Sequence, residues 1–360
     1  MAAGAVALGP FTGSGQASAI MRPMSTAGRR TTAISPAQLS RDRHRGLELL
    51  RATEAAALSV GRWLGRGDKS GTREAGERAM EEALLGMPFD GHIVIGADSR
   101  TSTLTPGRRF GVGRDQVDIA LLPVDGVSLV AQGTSQALSI AAASEPGGIA
   151  VPPPCAYMHK MAVGPEARGA IDLTDTPENN LRRVAFALNV QIQDLTVVML
   201  DRPRHQALVE RVRSLGARLA LISDGDIGAA LMTSWPGSGV DVLIGSGGTA
   251  EAILAACAIR CLGGEMQCRP WVRHEEEAAA LRAAGIDPEV PIGVQALVPG
   301  KDIAVAVTGV TGGGLLRGVQ YHNRWAETHS LVMRAQSGTI REISTKHHVA
   351  LDAKQAGPLV

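Results

Sequence analysis

The chain alternates two kinds of apolar pattern, and the change from one to the other sets out its elements. Leu47, Leu50, Ala57, Val60 and Leu64 fall near one face of a helical wheel, so residues 43–65 read as an amphipathic helix. A second helix is expected over 73–87. An Asp90-Gly91 turn then leads into a short strand, HIVIG, at 92–96. Residues 97–114 are polar and irregular. Ile119, Ala120, Leu121 and Leu122 mark 117–122 as a buried strand, which Pro123 and Gly126 are expected to stop. Residues 128–143 are small and apolar and read as strand plus helix, before Pro152, Pro153 and Pro154 break the chain.

Further along, a helix is expected over 179–188 and a strand, LTVVML, over 195–200. The rhythm then becomes strand, loop, helix. Strand 218–222 is followed by the loop Asp224-Gly225-Asp226 and a helix over 227–232. Strand 240–244 is followed by Gly245-Ser246-Gly247-Gly248-Thr249 and a helix over 251–262, stopped by Gly263-Gly264. This alternation predicts an α/β fold with a parallel or mixed sheet covered by helices. Residues 303–318 read as a strand with a Gly-rich loop, and 330–333 with 337–343 as a closing hairpin.

Composition narrows the partners. With 360 residues the chain is long enough for one large or two medium domains, and 44% hydrophobic residues supply a sizeable core. Lys plus Arg number 36 and Asp plus Glu 35, so the net charge of +1 gives no reason to expect nucleic acid or an anionic membrane surface. No apolar run approaches the roughly 20 residues of a membrane span. The four cysteines, Cys155, Cys257, Cys261 and Cys268, contain no Cys-x-x-Cys pair and read as buried thiols, not a zinc site. Residues 1–41 hold no Asp or Glu and read as a disordered extension, with an organelle transit peptide as the alternative. The expected division is an N-terminal α+β domain over 42–188, a C-terminal α/β domain over 189–348, and a tail over 349–360.

Three loops carry candidate chemistry. Residues 245–249 place three glycines between a strand and a helix, which reads either as a phosphate cradle or as a tight turn. The order of glycines matches neither the Walker loop nor the dinucleotide fingerprint. Asp224 and Asp226 stand at another strand-to-helix junction, where one carboxylate either caps the helix or holds sugar hydroxyls or a cation. Arg202 and Arg204 follow a strand, where their planar forks suit phosphate, although exposed arginines are also common.

These pieces together resemble the class II fructose-1,6-bisphosphatases over about residues 43–347. The resemblance rests on WLGRGDK at 63–69, GHIVIGA at 91–97, VDIA at 117–120, YMHKMAVGP at 157–165, PRH at 203–205, DGD at 224–226 and AIRCLGGEMQ at 258–267. It implies a layered, two-part sugar-phosphatase fold of the inositol monophosphatase type, with mixed sheets and helices. It also implies a cytoplasmic (or, with a transit leader, plastid) homo-oligomer, a dimer or tetramer, that takes a sugar phosphate such as fructose 1,6-bisphosphate with Mg²⁺ or Mn²⁺. The residues that grip the sugar and its phosphates in the family correspond to Tyr157, Arg202, Arg204, Asp224, Asp226 and Gly248, with Arg202 in place of a Lys.

The family's metal residues carry over less well. Its first Asp corresponds to Arg73, its first Glu to Ala97, and the Asp of its Asp-Pro pair to Leu122. Asp125 replaces a Glu, and the last Glu is kept as Glu251. The family's water-activating Asp falls at Thr101 and its catalytic Thr at Val127. A monovalent cation about 4 Å from a divalent one costs on the order of 8 kcal/mol at an effective dielectric of about 20. The sequence therefore predicts a sugar-phosphate binder with lost or much reduced hydrolysis, Arg73 standing in for the metal. Two alternatives remain open. One is an active phosphatase with a weaker site rebuilt from Asp98, Asp118, Asp125 and Glu251; the other is a non-catalytic subunit of an active paralogue.

Overall fold

In a computed structural model of the chain, residues 45–97 and 102–348 are described. The expectations for residues 1–41 and for the tail after His348, and those for Asp98 and Thr101, lie outside the described residues. Helices α1 (Arg45–Gly61) and α2 (Lys69–Leu85) come first, and the Asp68 carboxylate caps α2 by accepting the Gly71 N–H at 2.9 Å. Strands β1 (Asp90–Ile95), β2 (Arg109–Phe110) and β3 (Gln116–Asp125) follow, then α3 (Val127–Gln132) and β4 (Leu138–Ser144). The chain continues through β5 (Tyr157–Val163), α4 (Pro177–Leu188), β6 (Thr196–Leu200), α5 (Gln206–Ser214), β7 (Arg218–Ile222) and α6 (Asp226–Met232). Next come β8 (Val242–Gly248), α7 (Thr249–Leu262), β9 (Glu265–Pro270), α8 (Glu275–Ala283), β10 (Ile292–Gly293) and α9 (Val294–Leu297). The last strands are β11 (Ala304–Gly309), β12 (Gln320–His322), β13 (Trp325–Arg334) and β14 (Thr339–His348).

The strands form two mixed sheets. The first runs β12-β13-β11-β4-β3-β1-β2, with β14 also paired to β13; the second runs β10-β9-β5-β8-β6-β7. Strands 304–348 thus return to the sheet begun by residues 90–144, and everything from 157 to 293 builds the other. The sheets divide the chain at different places from residue 188, where the sequence suggested a domain boundary.

Helices and sheets stack in five layers. On the outer face of the first sheet, Leu49, Ala52, Met80 and Leu84 of α1 and α2 pack against Val117, Ile119 and Leu121. On its inner face, Ile140, Ala142, Val305 and Val307 meet α6 and α7. Helix α7 has ten of its fourteen residues buried, which is the signature of a helix covered on all sides, here by a sheet above and a sheet below. Met158, Ala162 and Leu243 close that central layer from the second sheet. Met161, Val163, Val197 and Ile244, on the opposite face, pack on α4 and α5. The layered sugar-phosphatase architecture expected from the sequence is the one found.

Two sequence expectations need correction. The central strand does not stop at Pro123: β3 runs on to Asp125, with its register against β4 shifting between Leu122 and Asp125. Proline has no N–H to give the ladder, so the irregularity falls where the strand holds Pro123. The Gly-rich segment after 244 is likewise no free loop, because Gly245, Ser246, Gly247 and Gly248 pair in register with Lys160, His159, Met158 and Tyr157 of β5.

Candidate functional site

Strands β6, β7 and β8 run parallel, and their carboxyl ends carry Arg202 with Arg204, Asp224 with Asp226, and Gly248 respectively. Tyr157, the first residue of β5, pairs with Gly248, and the Trp271 N–H donates to the Tyr157 carbonyl at 2.9 Å. The carboxyl end of β3 in the other sheet brings Asp125 to the same region. Side chains from both sheets therefore meet where open α/β sheets hold ligands.

Two glycines in the left-handed region join the acidic loops. Gly126 (φ +88°) turns the chain from β3 into α3, and Gly225 (φ +79°) turns it from β7 into α6. Asp224 does not cap α6. Its carboxylate accepts the N–H of Ser128 at 3.3 Å, at the start of α3, and that of Gly225 at 3.1 Å. Asp226 does not cap either: it forms a buried ion pair with Lys160, a residue that is 2% exposed. Gly247 makes room for this pair, since a Cβ there would collide with both the Asp226 carboxylate and the Lys160 side chain. Gly248 in the same way leaves space for Glu251.

Asp125 is 4% exposed, and its Oδ2 has no hydrogen-bond partner among the described residues. Burial first, then the neighbouring carboxylates of Asp226, Asp224 and Glu251, push the Asp125 carboxyl well above its ordinary range, against the pull of Lys160. Glu251 is raised too, by burial and then by Asp226. Burial alone would lower Lys160, but contact with the Asp226 carboxylate holds its ammonium above the usual value. The charges of Asp226, Asp224 and Glu251 thus act on the orphaned Asp125 carboxyl, with Lys160 opposing them, but among the described residues no three acid, histidine or cysteine side chains are grouped closely enough to hold a metal ion.

The other side of the site is cationic and aromatic. Arg204 donates from Nε to Ser246 Oγ and from Nη2 to the Ser246 carbonyl, both at 2.8 Å, and lies 5.5 Å from the Tyr157 ring centre and 5.6 Å from that of Trp271. Arg202 donates to the Asp201 carbonyl at 2.9 Å. Buried His205 anchors both ends: its Nε2 accepts the Ser246 N–H at 2.9 Å, so its Nδ1 carries the proton toward the Leu200 carbonyl, 2.7 Å away.

Burial, joined by the Arg204 and Arg202 charges, depresses His205 below its ordinary value of 6.5, although the Leu200 carbonyl works the other way. A depressed histidine stabilises the fold above its unfolded pKa, and that contribution is lost as pH falls through the folded value. The urea midpoint is expected to fall as the pH is lowered from 7 through 6.5 and below. In a His205→Asn variant that slope should flatten, leaving the smaller slope from His159, which burial also depresses. An unchanged slope would show that His205 does not carry it.

Of the remaining residues singled out from the sequence, Leu122 and Val127 flank Asp125 in the chain but bring no polar side chain to it. Arg73 is exposed on α2, and its charge acts on Glu77, one turn further along. Lys160, paired with Asp226, is a cation whose charge acts on Asp125. Ala97 is buried, with its N–H donating to the Leu104 carbonyl at 2.7 Å. Leu122 packs against the central core, and Val127 opens α3 against a small apolar cluster. Asp118 accepts the Gly147 N–H and faces His92. It lies seven residues back along β3, roughly 20 Å from Asp125 at about 3.3 Å per residue. Asp118 therefore cannot help rebuild a cation site there.

Sequence reasoning missed Lys160, Trp271 and Arg273. Lys160 left a trace, because a lysine on the inward face of the strand MHKMAV signals a buried partner. All four cysteines are free and buried, as expected. No helix among the described residues is long and apolar enough to cross a membrane.

The family described as bacterial fructose-1,6-bisphosphatase, glpX-encoded, matches residues 43–347. Among curated proteins, the chain is 37% identical over 334 residues to a D-fructose 1,6-bisphosphatase class 2/sedoheptulose 1,7-bisphosphatase of Synechococcus sp. (strain JA-2-3B'a(2-13)). It is 38% identical over 323 residues to fructose-1,6-bisphosphatase 1 class 2 of Escherichia coli (strain K12). Each match covers 85% of this chain and 96% of the relative.

Proposed function

From the premise that this chain belongs to the bacterial, glpX-encoded fructose-1,6-bisphosphatase family, we propose that it binds a sugar bisphosphate where the two sheets meet and hydrolyses one phosphate ester. The observation that carries this reading is the orphaned Oδ2 of Asp125, buried and under the charge of Asp226, Asp224 and Glu251. An unsatisfied buried acceptor costs about 1–3 kcal/mol. The charges of Asp226, Asp224 and Glu251 raise that cost. A free carboxylate oxygen is the kind of ligand a hard cation takes. With no larger group of acids assembled there among the described residues, the substrate phosphate and water would have to supply the other ligands.

Asp125 and Glu251 are the residues that would hold Mg²⁺ or Mn²⁺. Such an ion supplies charge neutralisation at the phosphate and a more acidic water. The rest falls to the chain's own side chains. Arg202 and Arg204 bind phosphate, Arg204 kept in place by Ser246 and by the Tyr157 and Trp271 rings. Asp224 takes sugar hydroxyls, and Asp226 is oriented by its contact with Lys160. Gly248 makes room for the Glu251 carboxylate at the ligand's edge. Hydrolysis forms one bond from water oxygen to phosphorus and breaks the ester P–O bond, releasing inorganic phosphate and the sugar alcohol.

A second reading is favoured by the side chains at Ala97, Leu122 and Val127, which offer neither carboxylate nor hydroxyl, and by Lys160 as a built-in cation. In that reading the protein binds the sugar phosphate without turning it over. Phosphate release from fructose 1,6-bisphosphate, measured with and without Mn²⁺ beside calorimetric titration of the same ligand, separates the two. Metal-dependent release supports the phosphatase. Metal-independent binding with no release supports the second reading, and absence of binding under both conditions sinks both.

A further inference from the structure

We infer that Gln136 is a positioning residue for the Asp224-Gly225-Asp226 turn: its left-handed backbone, held by the Gly-rich segment 311–314, sets where that turn stands relative to Asp125. This rests on the sugar-bisphosphate reading above and adds to it a residue outside the groups proposed to touch the ligand.

Gln136 has a φ of +83°, a region that disfavours residues with a side chain. Among the described residues one other non-glycine shares it, Asn189, which has an ordinary reason: it ends α4. Gln136 lies three residues past Gly133, the cap of α3, so helix termination does not account for it. Strain of this kind persists only where the surroundings over-determine it. Here they do so from both sides. Before Gln136, the Thr134 N–H donates to the Leu129 carbonyl at 2.8 Å. After it, the Gly-rich segment extends the β4–β11 pairing beyond Leu138 and Gly309. The Gln136 N–H donates to the Gly312 carbonyl at 3.0 Å and the Ala137 N–H to Thr311 Oγ1 at 2.9 Å. The Ala137 carbonyl in turn accepts the N–H groups of Val310 at 2.9 Å and Thr311 at 3.1 Å. Gly313 completes the fit, since a Cβ there would lie 3.0 Å from Gln136 Cγ and 3.3 Å from its Cα.

What Gln136 faces ties it to the site. A Cβ placed on Gly225 would lie 3.4 Å from the Gln136 carbonyl oxygen, 3.3 Å from Leu129 Cδ1 and 3.9 Å from the orphaned Asp125 Oδ2. The acidic turn thus rests in a cradle made by one stretch, 125–137, with Asp125 at one end and Gln136 near the other. The Asp224 carboxylate is tied to the middle of that stretch through the Ser128 N–H. The cradle closes on itself at Gly126, where a Cβ would meet Leu129 Cδ1 at 2.7 Å and the Ala137 Cα at 3.4 Å. Beside Gln136 lies an apolar cavity of about 20 Å³, bordered also by Gly228, Met232 and Gly314. A close-packed interior resists displacement, whereas a void beside the first turn of α6 lets that turn follow Gln136 when Gln136 moves. A shift at Gln136 therefore alters the site more than it loosens the fold.

The test is a suppressor cycle on the full chain: wild type, Gly313→Ala, Gln136→Gly and the double variant. Each is titrated calorimetrically with fructose 1,6-bisphosphate in the presence of Mn²⁺, and its thermal unfolding is recorded. Gly313 is outside the left-handed region, so the added methyl acts through its contact with Gln136 and not through backbone strain. G313A is expected to lose about tenfold in affinity, the effect of a displacement of a fraction of an ångström at a positioned group. Its unfolding temperature should fall by less than about 3 °C. Glycine at 136 adopts the same φ freely and removes the Cγ that the methyl meets, so the double variant should regain most of the lost affinity. Unchanged affinity in G313A, or a loss that the double variant does not recover, overturns the inference while leaving the proposed function standing. A wild type that does not bind the bisphosphate overturns both.

Discussion

Replacing Asp125 with Asn will stabilise the ligand-free protein by about 1–3 kcal/mol, the cost of one unsatisfied buried acceptor, and will abolish metal-dependent phosphate release. The side chain keeps its shape, but its terminal nitrogen becomes a donor facing the acids that now crowd the Asp125 carboxylate. Gain of stability with loss of function is the expected exchange where a site holds like charges together for a ligand. The pH dependence gives an independent check. Asp125 and Glu251 are raised above their ordinary values of 3.8 and 4.5. Each contributes stability that is fully present below its unfolded value and is lost as pH rises through the folded one. Urea midpoints for the wild type should therefore fall from these groups as pH rises above that range, and D125N should fall less. A variant less stable than the wild type at pH 7 would refute the crowding argument.

Lys160→Met should do the reverse. It removes the only cation paired with Asp226 among the described residues and leaves that carboxylate buried beside three others. Breaking a buried pair from one side costs about 3–5 kcal/mol. Adding Asp226→Asn to K160M should recover part of that loss, because the uncompensated charge is gone. Denaturant unfolding of the two single variants and the double variant gives the coupling directly. Simple additivity of the two single effects would mean that the pair is not coupled, against the geometry. Lys160 is raised in the fold, so its own contribution is present below its ordinary value of 10.5 and is lost as pH climbs through the folded value.

Much of this was legible in the sequence, and the parts that were not have a common cause. Periodicity located the helices near 45–61, 177–188 and 249–262 because each presents a continuous apolar face or is apolar all round. The residues at the ends of β6, β7 and β8 were found because strand-to-helix junctions concentrate chemistry. The Gly-rich segment misled because glycines look alike whether they free a backbone or make room for neighbours. Here Gly247 and Gly248 make room for Asp226, Lys160 and Glu251 while the strand stays paired. The opposing sheet partner that decides this is some 85 residues away in the chain, beyond the reach of any local pattern. Asp118 and Asp125 misled in the same way: both sit on β3, but strand geometry separates what sequence proximity joins.

The return of strands 304–348 to the sheet begun by residues 90–144 bears on how the chain is made. All six strands of the second sheet lie between 157 and 293, so that layer can pair up while the ribosome is still adding residues. The edge of β4 has no such option: its partner β11 emerges some 160 residues later, and until then the strand that carries Asp125 belongs to an open half-sheet. Such distant pairing slows folding through loop-closure entropy. Of the four acids only Asp125 lies on the sheet that waits for residues 304–348, while Asp224, Asp226 and Glu251 belong, like Arg202 and Arg204, to the stretch that can pair first.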